Sequence, residues 1–269
     1  TNNIEVYMAL WAQGVEDVDK TAVYLQELLD KGTIEKKCLA LKFASELYNP
    51  AIEMPLYYQA VKEPNLQILA FCFKGMNPLL NANAKSEFYI NNDDFPAFFD
   101  QLDALLGQIS EKEKVFDGKV FSWLKAKFNR NDIYEAMILL VGQDRGKLDR
   151  IMENFSGMAI SLRESLTRNI LKDFYQYSFS YGEKNNKNIP SDFQREFAFK
   201  LLKDRGEAIV ATAINTLKPL KLNEKELNLF FELFKRKGAT LRMHLIDLIL
   251  KQDDEQLNAF IANLLTNGD

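Results

Sequence analysis

The chain has 269 residues, 47% of them hydrophobic and 27% charged, with 34 Lys and Arg against 38 Asp and Glu and a net charge of −4. The two signs are interspersed, which weighs against a nucleic-acid partner, because duplex phosphates need clustered cations. Twelve Gly and seven Pro are too few for a fold of many short strands, one His leaves little for metal or general-base chemistry, and two Cys cannot build a disulfide framework.

Apolar periodicity near 3.6 predicts helices over 4–13, 17–31, 33–48, 50–62, 64–80, 93–107, 110–127 (broken at Gly118), 131–142, 145–155, 158–174, 190–204, 206–217, 223–237, 239–251 and 253–265. The first pair carries Val18/Ala22/Leu25/Leu29 and Ile34/Cys38/Leu41/Ser45/Tyr48 on one side of each helix. A tighter stripe then recurs as Leu66/Leu69/Ala70/Phe73, Ile133/Ala136/Met137/Leu140, Leu227/Phe230/Phe231/Phe234 and Leu257/Phe260/Ile261/Leu264. Start signals agree with these bounds. Asn49-Pro50 suits a helix entry, and Ser110/Glu113, Asp132/Glu135, Ser191/Gln194, Asn223/Glu226 and Asp253/Gln256 have the spacing with which a cap side chain satisfies first-turn amides.

Two stretches leave the helical pattern, 81–92 and 174–189. In the second, Tyr175, Tyr177, Phe179 and Tyr181 alternate with small polar residues and are followed by Lys184 and Lys187. Period-two alternation puts four rings on one side of an extended segment, and aromatics beside cations suit partner recognition. These six residues are the candidate partner-binding set, against the plainer expectation that the rings pack a long loop onto the helices.

Other chemistry-bearing residues read as structural. His244 lies on the edge of an apolar stripe, Asp253, Asp254 and Glu255 cap a helix, as do Asp93 and Asp94, and Lys235, Arg236 and Lys237 complement a helix C-terminus. Trp11, Trp123, Cys38 and Cys72 have apolar neighbours and are expected in the core, the thiols in a reducing compartment. Asn154-Phe155-Ser156 matches a glycosylation acceptor by chance, since Phe155 falls on a core stripe. No Cys-x-x-Cys, His-Glu-x-x-His, phosphate-binding Gly loop or nucleophile elbow occurs. The expected catalytic, cofactor and metal sets are therefore empty, and the chain is read as a non-enzyme. The N-terminus lacks the basic-then-apolar order of a signal peptide, and no run is apolar enough for a membrane span, so a cytoplasmic location is expected.

One helix pair orders some thirty residues at about 1–2 kcal/mol each. It recovers about 1.5–3 kcal/mol for each of a few large apolar groups, so pairs must stack to be stable. Leu66 and Phe95 lie 29 residues apart, and Leu227 and Leu257 lie 30 apart, a spacing suited to paired-helix repeats. On the run from Arg242 to Leu257, and next on Lys37 to Leu56, the chain resembles the HEAT and armadillo class of helical repeats. Its helical pattern is also similar to repeat regions of the large bacterial proteins called molybdate-metabolism regulators.

The resemblance implies an all-α fold, a right-handed solenoid (α-α superhelix) of antiparallel helix pairs. It also implies a non-catalytic protein- or peptide-binding scaffold. Residues 1–269 are expected to form a single helical-repeat domain within a longer chain, because Leu257 to Leu265 keeps an apolar stripe where a polar cap would end the array. Two alternatives stand beside the scaffold. One is a nucleic-acid enzyme similar to the HEAT-like DNA glycosylases, for which a cationic groove and a positioned acid are implied. The other is a purely architectural spacer.

Overall fold

A computed structural model describes residues 3–83, 98–109, 115–121, 124–172, 189–234 and 239–267. The described residues are mostly helical and fall into two compact units, Thr1–Val141 and Gly142–Asp269. No described helix is long and apolar enough to cross a membrane.

The first unit holds α1 (Asn3–Glu16), α2 (Val18–Lys31), α3 (Ile34–Leu47), α4 (Pro50–Ala60), α5 (Leu66–Asn83), α6 (Phe98–Gln108), β1 (Val115–Phe121), β2 (Leu124–Asn129) and α7 (Arg130–Leu139). Asp17 caps α2 by accepting from the Lys20 N–H, and Asn49 caps α4 ahead of Pro50. Each of α1 to α4 packs on its successor, and contacts also reach one helix further: α1 packs on α3, α3 on α5, and α2 on α4. Helix α3 is thus covered on several sides, and Cys38, Leu39, Ala40, Leu41, Phe43 and Ala44 are all buried in it. A helix apolar around its whole circumference is what such a position requires. Tyr57 of α4 is fully buried and donates to Glu53 Oε2 at 3.0 Å. Gly75 of α5 makes room for it, since a Cβ there would lie 2.2 Å from the Tyr57 hydroxyl.

The helix expected over 110–127 is corrected by the structure. Strands β1 and β2 pair antiparallel as the two arms of a hairpin, in register from Val115 opposite Asn129 to Phe121 opposite Leu124, with an irregularity between Lys119 and Phe121. Burial along β2 has a period of two: Leu124, Ala126 and Phe128 are buried, while Lys125 and Lys127 are exposed. Val and Phe favour a half-buried pleated surface, and Gly118 weakens a helix at its midpoint, so strand wins locally. Phe128 then packs on Phe73 of α5, ring centroids 5.5 Å apart, and anchors the hairpin. Helix α7 starts earlier than expected, with its capping box on Asn129 and Asp132 rather than Asp132 and Glu135.

The second unit holds α8 (Arg145–Glu153), a 3-10 turn (Phe155–Gly157), α9 (Ile160–Ile170), α10 (Asp192–Leu201), α11 (Glu207–Leu217), α12 (Glu224–Phe234), α13 (Ala239–Ile249) and α14 (Asp254–Asn267). Here α9 packs on α11, α11 on α13, and α12 on both α13 and α14. The boxes on Ser191/Gln194 and Asn223/Glu226 form as the spacing predicts. Buried Gln252, in the turn after α13, accepts from the Leu222 N–H at 2.9 Å and donates to the Leu220 and Leu248 carbonyls. It fastens the turn between α13 and α14 onto the turn between α11 and α12. Ion pairs run across the same offset, Arg195 to Glu226 at 2.5 Å, Lys218 to Asp247 at 3.4 Å and Lys221 to Asp253 at 2.6 Å. Arg163 of α9 meets the nearly buried Asp204, which also accepts from the Gly206 N–H at 2.6 Å.

Candidate functional site

The hairpin, α5 and α7 enclose a cleft of about 660 Å³, lined in part by Phe73, Lys74, Asn77, Lys125, Lys127, Asp132 and Glu135. The local fold dictates which groups meet there. Phe73 and Asn77 are one turn apart on α5, so anchoring Phe73 against Phe128 brings Asn77 to the start of α7. Pleating turns Lys125 and Lys127 away from Ala126 and Phe128, onto the exposed side of β2.

Asn77 is only 8% exposed, and its Nδ2 donates to the Asp132 carbonyl at 3.1 Å and to Glu135 Oε2 at 3.2 Å. Its Oδ1 is buried and meets no donor. A buried acceptor in that condition costs about 1–3 kcal/mol relative to a satisfied one. Asp132 Oδ2 accepts from the Asn129 N–H at 2.6 Å. Burial raises the Asp132 carboxyl above its ordinary range, against the pull of that bond. Burial and then the Asp132 charge raise Glu135, with the Asn77 amide opposing. On the rim, Lys74 Nζ donates to the Lys125 carbonyl at 3.1 Å. The cleft therefore sets acceptors and two reluctant carboxylates against three lysines. Among the described residues, no group of three or more His, Cys, Asp or Glu is arranged to hold a metal ion.

The six residues expected to bind a partner, Tyr175, Tyr177, Phe179, Tyr181, Lys184 and Lys187, lie outside the described residues, as do Trp123, Asp93, Asp94 and Lys235 to Lys237. Trp11 is corrected: it is 42% exposed, resting edge-on against Phe43 at 5.1 Å between centroids rather than lying in the core. With Ile4 and Met8 it forms an exposed apolar stripe on α1, and Met243 and Ile246 of α13 form another with Leu250 just past its end. Cys38 and Cys72 are buried free thiols, and burial pushes Cys38 up to about 12 and raises Cys72 further, which suits packing and not nucleophilic chemistry. His244 is half-buried, its pKa lowered by burial first and by the Lys218 charge next. Asp253 caps α14 through the Gln256 N–H, as expected, and also pairs with Lys221.

Sequence reasoning missed the cleft. Its one visible signal was the alternation of Leu124, Ala126 and Phe128 with Lys125 and Lys127.

No curated protein and no solved structure matches the chain. The family of unknown function DUF5724 matches it over residues 1–269, and the chain belongs to that family.

Proposed function

We propose that this chain is a non-catalytic scaffold, a right-handed stack of antiparallel helix pairs that holds a protein or peptide partner. The observation that carries the reading is contact between helices two apart in sequence, α1 with α3 and α3 with α5 in one unit, α9 with α11 and α11 with α13 in the other. Polar ties at offsets of 29 to 32 residues, such as Lys218–Asp247, Leu222–Gln252 and Leu220–Gln252, fit a repeat of the length expected from the stripes. Stacked pairs create extended surfaces, and the apolar stripes on α1 and α13 offer contact area to a partner. The aromatic segment Tyr175 to Tyr181 is a second proposed contact. The chain, immobilised, should retain a protein that still binds after both are purified, and Tyr177→Ala with Tyr181→Ala should weaken that complex at least tenfold. Failure to retain any partner would favour the spacer.

One observation favours a second reading. Lys74, Lys125 and Lys127 beside Asp132 and Glu135 bring together cations and two acids, the combination implied by a glycosylase-like enzyme. Salt-dependent binding of duplex DNA, lost in Lys125→Ala with Lys127→Ala, would support it, and no shift at low salt would end it.

A further inference from the structure

Helix α13 presents a file of titratable groups to the end of α11. His244 and Asp247 lie three residues apart, and Lys251 follows four residues later, just past the last turn of α13. Those intervals bring the three to one face. Lys218 ends α11 and reaches the same face, with its Nζ 3.4 Å from Asp247 Oδ2. The Lys218 side chain is only 15% exposed, whereas Asp247 is 63% exposed, so a buried stem carries its ammonium out to a surface carboxylate. His244 is half-buried one turn before that carboxylate, and the Lys218 and Asp247 charges both act on it.

Asp247 therefore has two neighbours that can carry positive charge. A neutral imidazole leaves it to Lys218. A protonated imidazole donates from both nitrogens and competes for the same carboxylate. It also repels the Lys218 ammonium, on which the Lys251 charge already presses. Three cations then face one carboxylate. From α12, which also packs on α13, the described charged side chains are Lys225, which is exposed, and Glu226, which pairs with Arg195.

Burial first and the Lys218 charge next hold the His244 pKa below its ordinary 6.5, against the pull of Asp247. The folded-state value lies below the unfolded one, so proton uptake opposes the folded join. The stability tied to neutral His244 is whole above pH 6.5 and is lost as pH falls below it. The Lys218–Asp247 pair crosses the same join as the bonds from Gln252 to Leu220 and Leu222, so loosening one tie bears on the others.

We propose that Lys218, His244 and Asp247 form an acid-sensitive clasp between α11 and α13, which opens when His244 takes up a proton and displaces Lys218 from Asp247. The clasp needs no partner, so it stands or falls apart from the scaffold reading.

His244 is the single histidine of the chain, so its ring protons give one NMR titration curve that needs no assignment. The full chain is titrated from pH 8 to pH 5, and the midpoint is expected below 6.5. Lys218→Gln should raise the midpoint, because the repelling ammonium is gone. Asp247→Asn, at an exposed position, should lower it, because the attracting carboxylate is gone. Hydrogen exchange reads the clasp itself. After correction for the intrinsic effect of pH, protection of the Leu220 and Leu250 amides should fall at least threefold between pH 7.5 and pH 5.5. In His244→Gln it should stay level.

The proposal is overturned if the midpoint lies at or above 6.5, if neither Lys218→Gln nor Asp247→Asn moves it, or if the two amides lose protection equally in His244→Gln.

Discussion

The two units join their helices by different means. In Gly142–Asp269, polar side chains tie one turn to the next, with Gln252 bridging Leu220 and Leu222 and with Lys221 paired to Asp253. In Thr1–Val141, the packing of α1 to α5 gives way to a hairpin laid on α5, held by Phe128 against Phe73. The regular region spends its polar groups on its own backbone. Each unit also holds buried groups without a partner, Asn77 Oδ1 beside the cleft of the first and Arg163 Nε and Gln256 Oε1 in the second. What separates the units is the join itself, a polar side chain between turns in one and a buried ring against a helix in the other.

That contrast can be broken most forcefully at the hairpin. Phe128→Ala removes a fully buried ring from its seat on α5 and should cost about 3–5 kcal/mol. Denaturant unfolding measures the loss, and hydrogen exchange over 115–129 should accelerate with it. In the regular unit, Gln252→Leu keeps the volume but strands the Leu222 N–H and the Leu220 carbonyl, for an expected loss of about 1–3 kcal/mol. An equal loss at both sites would erase the distinction between an apolar anchor and a polar tie.

A pH series sharpens the contrast further. Burial raises the Glu53 carboxyl above its ordinary 4.5, with the Tyr57 hydroxyl and the Asn49 backbone opposing. Because the folded-state value lies above the unfolded one, ionisation opposes folding. The associated stability is present below pH 4.5 and is lost as pH rises through the raised value. Glu53→Gln should therefore match the unaltered protein near pH 4 and exceed it in Tm at pH 8. A Tm difference independent of pH would contradict the burial. The smallest effect belongs to the exposed pair Arg145–Glu196, where Arg145→Ala should change stability by less than about 1 kcal/mol.

Much of the helical architecture was legible because its signals are local. Ser191/Gln194 and Asn223/Glu226 mark helix starts three residues apart, and stripes such as Ile133/Ala136/Met137 mark the buried face. The hairpin was misread because apolar residues at 115, 116, 120, 121, 124, 126 and 128 satisfy a helical period and a strand period at once. Packing of Phe128 on Phe73 decides between them, and that contact joins distant parts of the chain. The cleft was illegible for the same reason. Asn77 lies 55 and 58 residues from its partners Asp132 and Glu135, so only the folded chain assembles the three. Exposed stripes such as Met243/Ile246/Leu250 carry the same pattern as core stripes, and periodicity alone cannot tell which face finds a neighbour.

Gln252 fastens the turn after α13 to the turn after α11, and the Leu222 amide reports on that tie directly. Its bond is to Gln252 Oε1 at 2.9 Å, 30 residues away, whereas the Leu227 amide bonds to Asn223 O at 2.9 Å at the start of α12. Residue-resolved hydrogen exchange should show Leu222 protected in the unaltered protein and fast in Gln252→Ala, with Leu227 protected in both. A Leu222 amide that already exchanges at the rate of an unstructured chain in the unaltered protein would contradict the account.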